Sequence, residues 1–143
     1  MTEPADERTT VQIRMDGQER NATLTLTRTP WEDPSLWQLR LVCGDRHWQG
    51  SGHDVFTALL DLMSHLDPDQ VLIGVNGARP DAWPSGMAAQ MSGGLIVYLL
   101  PPKWTRDRPP TARTLDPAPL AVVGTLTDKD TYRRAWQATI GHQ

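Results

Sequence analysis

Cysteine, lysine and phenylalanine are nearly missing from this chain. Cys43 is the one cysteine in 143 residues, so no disulfide can close within the chain, and no Cys-x-x-Cys pair offers zinc or redox chemistry. Lys103 and Lys129 are the only lysines; the rest of the basic side chains are arginine. The 14 basic residues are scattered and face 17 acidic ones, for a net charge of −3. Nucleic-acid binding is disfavoured on that ground, because a phosphate backbone calls for a basic patch or stripe. No segment approaches the ~18 apolar residues of a membrane helix. The opening MTEPADERTT is polar, with no apolar core of the kind a signal peptide carries. His47, His53, His65 and His142 show no His-x-x-x-His or Glu-x-x-His spacing, so neither metal nor cofactor is expected. The expectation is a soluble, cytoplasmic protein.

The apolar fraction is 38%, which predicts a modest core and a good share of loop. Residues 1–100 read as an α+β core domain and 101–143 as a proline-rich arm ending in a helix that docks on the core or on a partner. Residues 1–9 are expected to fray. Val11, Ile13 and Met15 then alternate with polar neighbours, the period of a half-buried strand. Asp16-Gly17 reads as a hairpin turn, and Ala22, Leu24 and Leu26 as a second strand with a threonine-lined outer face. Arg28–Ser35, with two prolines, is a loop. Trp37, Leu39, Leu41 and Cys43 share one face of a third strand, Gly44-Asp45 turns the chain, and Arg46–Gln49 returns it. The result is an antiparallel meander with one apolar side.

Val55, Leu59, Leu62, Met63 and Leu66 recur at helical spacing and predict the covering helix. Ser51 and Asp54 have the spacing of a capping box, and Asp67-Pro68 ends the helix. Val71–Val75 and Leu95–Leu100 read as buried, central strands. Between them the spacing predicts an irregular loop over Asn76–Pro84 and a short helix over Ser85–Ser92, with Ser85 as N-cap, Met87 and Met91 on one face, and Gly93 as its left-handed stop. Residues 101–119 hold six of the twelve prolines and read as an extended connector. Ala121–Leu126 reads as a further strand. Thr127 and Asp130 predict a terminal helix over Asp128–Ile140, with Tyr132, Trp136 and Ile140 as its apolar ridge.

The candidate contact residues lie in the irregular loop. Asn76, Arg79, Asp81, Trp83 and Ser85 cluster between two strands, where rigid elements position loops for binding. Arg79 offers a bidentate fork for a carboxylate; equally, it can pair with Asp81. No residue is singled out as catalytic. Gly50-Ser51-Gly52-His53-Asp54 places Ser, His and Asp side by side, but neighbours at a helix start do not converge as a triad does. Cys43 reads as a small buried hydrophobe. The six tryptophans outnumber a single phenylalanine. Trp31, Trp83 and Trp104 are expected in loops or the proline-rich arm, where they suit either clamping the arm to the core or meeting a partner.

The segment NGARPDAWPSGMAAQMSGGLIVYLL, preceded by GSGHDVFTALLDL, resembles a segment shared by a group of small bacterial proteins. In that group a Gly-Ala-x-x-Asp turn leads to a Pro-Ser-Gly-Met helix start, a Met-Gly-x-Gly stop and an aliphatic strand ending near a Tyr. The resemblance covers roughly residues 48–100; LDPAPLAVVGTL and the Tyr-Arg-Arg-Ala-Trp helix are similar too. Ser92 stands where the group has a Gly. The resemblance implies a compact unit and carries no catalytic residue. The function expected is that of a small non-enzymatic interaction protein, an accessory or immunity-type partner of a larger bacterial protein, meeting either that protein or a second copy of itself. The alternative is a small-molecule-binding protein or enzyme using the loop over residues 76–87.

Overall fold

A computed structural model of the chain describes residues 7–28, 35–84 and 93–140. Trp31 and the short helix expected over Ser85–Ser92, including Ser85 itself, lie outside those residues. The fold is α+β, as expected. Alternating residues build the first sheet. β1 (Glu7–Met15) and β2 (Gln18–Arg28) pair antiparallel along the whole of β1, from Glu7 opposite Leu26 to Met15 opposite Gln18. The ladder therefore includes Glu7, Arg8 and Thr9, which were expected to fray. A tight turn sets the register, and β2 is long enough to pair with them. Asp16 and Gly17 both have positive φ, 54° and 73°, the backbone twist that a two-residue hairpin loop favours. β3 (Trp37–Cys43) and β4 (Arg46–Gly52) continue the meander.

β5 (Leu72–Ile73) pairs with the other side of β1, giving the order β4-β3-β2-β1-β5. The run Val71–Val75 is thus a two-residue edge strand and not a central one. Gly74 still donates to Gln12 O, but Val75 then bridges Pro117 in the later part of the chain.

One face of this sheet is apolar and buried, from Val11, Ile13 and Met15 across Leu24, Leu39 and Leu41 to Trp48. α1 (Val55–Leu66) covers it with Val55, Ala58, Leu59, Leu62, Met63 and Leu66, all buried. Its N-cap is Asp54 alone, whose carboxylate accepts from Thr57 N at 2.7 Å. Ser51 is not part of the cap: it remains in β4 opposite Gln38, and its N–H donates to Asp61 Oδ2 at 2.9 Å. β4 and α1 meet backbone to backbone. A Cβ on Gly50 would overlap the Leu62 main chain, and one on Gly52 would stand 2.6 Å from Ala58 N.

A second sheet takes up the rest of the chain. β6 (Ala82–Trp83), β7 (Ile96–Leu99) and β8 (Thr111–Arg113) lie in that order, all antiparallel. The apolar run Leu95–Leu100 is therefore in a different sheet from β5, and the proline-rich stretch is not purely a connector, since β8 comes from it. Buried Thr114 fixes the end of β8 through Oγ1, which donates to Gly94 O at 2.6 Å. Ala121–Leu126 forms no strand: Leu120–Val122 is a single 3-10 turn, in a region where Pro117 and Pro119 have no N–H to give a ladder.

The terminal helix, α2 (Leu126–Gln137), starts earlier than expected. Its capping box is Thr125 with Asp128 and not Thr127 with Asp130; Asp128 N donates to Thr125 Oγ1 at 3.2 Å and Thr125 N to Asp128 Oδ2 at 2.9 Å. Both pairs have the right spacing. The earlier one brings Leu126 against the core and sets its N–H on Asp67 Oδ2 at 3.0 Å. Ile140 lies past the end of the helix, 48% exposed, and does not join the ridge.

Two substitutions test this packing. Leu59 is fully buried in the middle of α1, so Leu59→Ala should cost about 2–5 kcal/mol in urea unfolding. Gly50→Ala should cost about 1–3 kcal/mol, because the added methyl forces strand and helix apart. A Gly50→Ala chain as stable as the parent would mean that β4 and α1 are not in backbone contact.

Candidate functional site

The loop singled out by its composition folds around one ammonium group. Asn76–Ala78 make a 3-10 turn, and Ala82–Trp83 form β6. Into the bend between them projects Lys129 of α2, 1% exposed. Its Nζ donates to Gly77 O at 2.9 Å, Arg79 O at 2.8 Å and Ala82 O at 2.8 Å. Three acceptors at this distance match the three donors of the charged form, since a neutral amine has two. The rings of Trp83 and Phe56 lie nearby, with centroids 4.6 and 5.1 Å from Nζ, where an aromatic face favours a cation. Against these contacts stands desolvation. Burial pushes Lys129 down to about 7, and the Asp81 carboxylate acts in the opposite direction.

The other loop residues are drawn into the same corner. Arg79 forks onto Asp81, Nε to Oδ1 at 2.9 Å and Nη2 to Oδ2 at 2.8 Å. The Asp81 hydrogen bond raises Arg79 above its ordinary value, so its charge is held in place. Asn76 Nδ2 donates to Arg113 O at 3.1 Å and so ties the turn to β8. The guanidinium proposed to receive a ligand carboxylate thus already has one within the chain. Asp54 is occupied as the helix cap, and His53 Nδ1 lies 3.3 Å from both Oγ and O of Ser35. Among the described residues no three of His, Cys, Asp and Glu come together as a metal site. Cys43 is half-buried at the end of β3, with Sγ 3.7 Å from Asn21 O.

Trp83 leads out of the loop to an open cleft. Its Nε1 donates to Pro80 O at 3.0 Å, and its ring packs on Phe56 with centroids 5.7 Å apart. Beyond it, between the second sheet, residues 100–109 and α2, is a cavity of about 360 Å³ walled by Trp83, Tyr98, Trp104 and Trp136, with Arg133 and Asp107 among its polar groups. This volume lies within the range of ligand-binding clefts. The walls are fixed. Tyr132 Oη donates to Leu100 O at 2.6 Å, and Trp104 N donates to Thr139 Oγ1 at 2.8 Å. Burial, first, and the nearby Asp81 charge raise the Tyr132 phenol, which favours the protonated donor. The Arg133 guanidinium lies over the Trp83 ring at 4.7 Å. The buried Trp136 Nε1–H has no acceptor among the described residues.

The structure therefore joins Arg79 to Asp81, sets Asn76 on β8 and brings Trp83 alone of the expected contact residues into the cleft; Ser85 lies outside the described residues. Lys129, Trp104, Arg133 and Trp136 were not singled out as site residues. Lys129 had a signal: it is one of two lysines in an arginine-rich chain and lies three and seven residues before Tyr132 and Trp136, on their helical face. No family model matches the chain, and no curated protein matches it.

With two lysines, the titration of Lys129 can be read directly. In a chain labelled with 13C-lysine, the Lys129 signal should titrate near 7. The sign follows from the lowered value. Below about pH 7 both folded and unfolded chains carry the Lys129 proton, and burying that charge subtracts from stability. Between about 7 and 10.5 only the unfolded chain keeps the proton, so the subtraction fades as the pH rises. At pH 7 Lys129→Met should be roughly 1–3 kcal/mol less stable, since three carbonyls each lose a donor. The gap between parent and variant should widen from pH 7 to pH 9. A Lys129 signal that titrates at the ordinary 10.5 would contradict the assignment.

Proposed function

We propose that this chain is a small interaction protein, an accessory or immunity-type partner of a larger bacterial protein, and that the tryptophan cleft is its contact surface. The observation that carries this reading is the gathering of Trp83, Trp104 and Trp136 around one open cavity, in walls braced by Tyr132 and Thr139. Large, rigid aromatic side chains with a polar tip concentrate binding energy at protein interfaces. Trp83 is the link to the expected loop site, while Arg79 and Asp81 serve the wall behind it. The resemblance of residues 48–100 to a group of small bacterial proteins supports the same reading of a compact unit, and its Gly-Ala-x-x-Asp turn is the turn whose carbonyls receive Lys129. We set this role in the cytoplasm, where an unpaired, half-buried Cys43 stays reduced. No described helix is long and apolar enough to cross a membrane.

The cavity's volume and apolar walls favour a second reading, a small apolar ligand held in the same cleft. That reading keeps the small-molecule alternative but places it beyond Trp83 and not in the loop over residues 76–87.

Affinity capture from native lysate with the full chain, beside Trp104→Ala and Lys103→Ala, separates these readings. A protein retained by the parent and by Lys103→Ala but lost with Trp104→Ala supports the interface. A protein retained equally by all three contacts another surface. Retention of a small molecule alone, displaced by Trp104→Ala, favours the second reading.

A further inference from the structure

The face of the first sheet turned away from α1 carries a second hollow, of about 590 Å³, lined only by residues of β1 to β4. It shares no residue with the tryptophan cleft. Its lining is Arg8 and Arg40, three threonines of β2, two glutamines and Val42, with no carboxylate among them. Strand register fixes how these groups stand. Arg8 pairs with Thr25, Thr25 with Arg40, and Arg40 with Gln49, so the four form one row across the sheet. Thr25 and Arg40 alternate with the buried Leu24, Leu26, Leu39 and Leu41, and paired residues share a face, so the row projects away from the core. Two strand spacings, about 10 Å, separate the arginine backbones. Their stems are long enough for both guanidiniums to close over Thr25. Neither has a carboxylate within the chain. Arg14, on the same face, pairs with Glu19, the one acidic residue that alternation places there among the described strands. Arg8 and Arg40 have no ion pair among the described residues, and the hydroxyls of Thr23, Thr25 and Thr27 have no hydrogen-bond partner there. Two like charges facing one hollow repel each other, and an anion between them turns that repulsion into two attractions.

We propose that this hollow binds the phosphate group of a small soluble ligand, with Arg8 and Arg40 holding it from two sides and the Thr25 hydroxyl donating from beneath. Donors from three directions suit a tetrahedral oxyanion, whereas a planar carboxylate offers its two oxygens to a single fork. The row runs on to Gln49, which gives a diphosphate a further donor. Val42 is the only aliphatic side chain in the lining, and no aromatic one is present. A protein interface is built around large apolar anchors, a single strand of nucleic acid stacks on aromatic rings, and a membrane-surface site needs apolar side chains that enter the bilayer. The hollow offers none of these. The site is independent of the cleft and of whatever occupies it.

The probe is inorganic pyrophosphate, added to the 15N-labelled full chain at constant ionic strength. The expected result is saturable movement of the Arg8 and Arg40 Nε–H signals and of the Thr25 amide, with the Trp83 and Trp136 indoles unmoved. Arg8→Gln and Arg40→Gln, both at exposed positions, should keep the fold and each weaken binding by about tenfold, the worth of one charge-assisted hydrogen bond. Thr25→Val, which keeps the branched side chain and removes the hydroxyl, should weaken it by a smaller factor. Arg14→Gln, on the same face but outside the hollow, should leave the affinity unchanged. Binding should fall as salt is raised. Succinate, with two planar carboxylates, should bind about tenfold more weakly than pyrophosphate. Succinate bound as tightly as pyrophosphate would overturn the phosphate assignment. Equal weakening by Arg14→Gln and Arg40→Gln would overturn the site in favour of diffuse attraction to a charged face. Sedimentation with phosphatidic acid vesicles, without movement by pyrophosphate, would overturn the soluble source. No saturable movement of the Arg8 and Arg40 signals with either anion would overturn the proposal outright and leave the reading of the cleft as it stands.

Discussion

The bond between Lys129 and the carbonyls of Gly77, Arg79 and Ala82 connects the two halves of this chain. α1 and the five-stranded sheet form a core that depends on ordinary apolar packing. α2 has little of its own to bury: apart from Lys129, no residue on it is fully buried, and Leu126, Tyr132 and Trp136 are only partly covered. A helix so polar would dock weakly through hydrophobic area. What holds it is the Lys129 amino group, hydrogen-bonded where main-chain oxygens converge, and carrying a charge there costs the desolvation of the ammonium. A lysine side chain can cross the distance because its four-carbon stem lies along apolar surface while the charge reaches the loop.

The irregular loop over residues 76–83 follows from this constraint. Its backbone turns so that carbonyls 77, 79 and 82 face inward, and such oxygens would be unfavourable inside a protein without a donor. Gly77 lets the turn pack directly on Leu59 and Thr114, where a Cβ would come within 2.7 Å of both side chains. The Arg79–Asp81 pair closes the outside of the bend and brings a carboxylate near the ammonium. Asp67 does a similar task at the first residue of α2, one turn before Lys129. It accepts from Leu126 N, and burial raises its carboxyl despite that bond. With α2 fixed at both places, Arg133 and Trp136 become one wall of the cleft, and residues 100–104 are strapped to them by Tyr132 and Thr139.

Sequence periodicity revealed those parts of the fold in which local pattern and burial agree. Val11–Met15, Ala22–Leu26 and Trp37–Cys43 alternate with a period of two, and α1 repeats at 3.6 over three turns, so these could be read in advance, whereas β4 was legible only to Gln49 because Gly50-Ser51-Gly52 carries no apolar side chain to alternate. Of the second sheet only β7 could, as the apolar run Leu95–Leu100. Its other strands are two and three residues long, shorter than any period needs to declare itself, and β8 comes from a stretch in which proline hides strand character. The caps failed for a different reason. Ser51 and Thr127 have the right spacing, but tertiary structure chose Asp54 and Thr125, because β4 runs on through Gly52 and Leu126 has an apolar site and Asp67 waiting for it. Arg79 and Asp81 were legible as a pair; that their loop answers to a lysine fifty residues away was not, because hydrophobic patterning assigns every lysine to solvent.

The same separation in sequence explains why whole-chain charge misleads about partners. A net charge of −3 suggests affinity for basic proteins, yet electrostatic attraction at contact is set by charges within about a Debye length of ~8 Å at physiological salt. Acidic residues in and around the first sheet and α1 are held in pairs and caps, as Glu19, Asp54 and Asp69 are. At the cleft the charged side chains of the lining are Arg133 and Asp107, one of each sign, and they face each other only because residues 100–104 are strapped to α2. A chain average sums charges that never face the same ligand. The charges that a ligand of the cleft meets are placed there by the lysine-bound helix and the wall strapped to it.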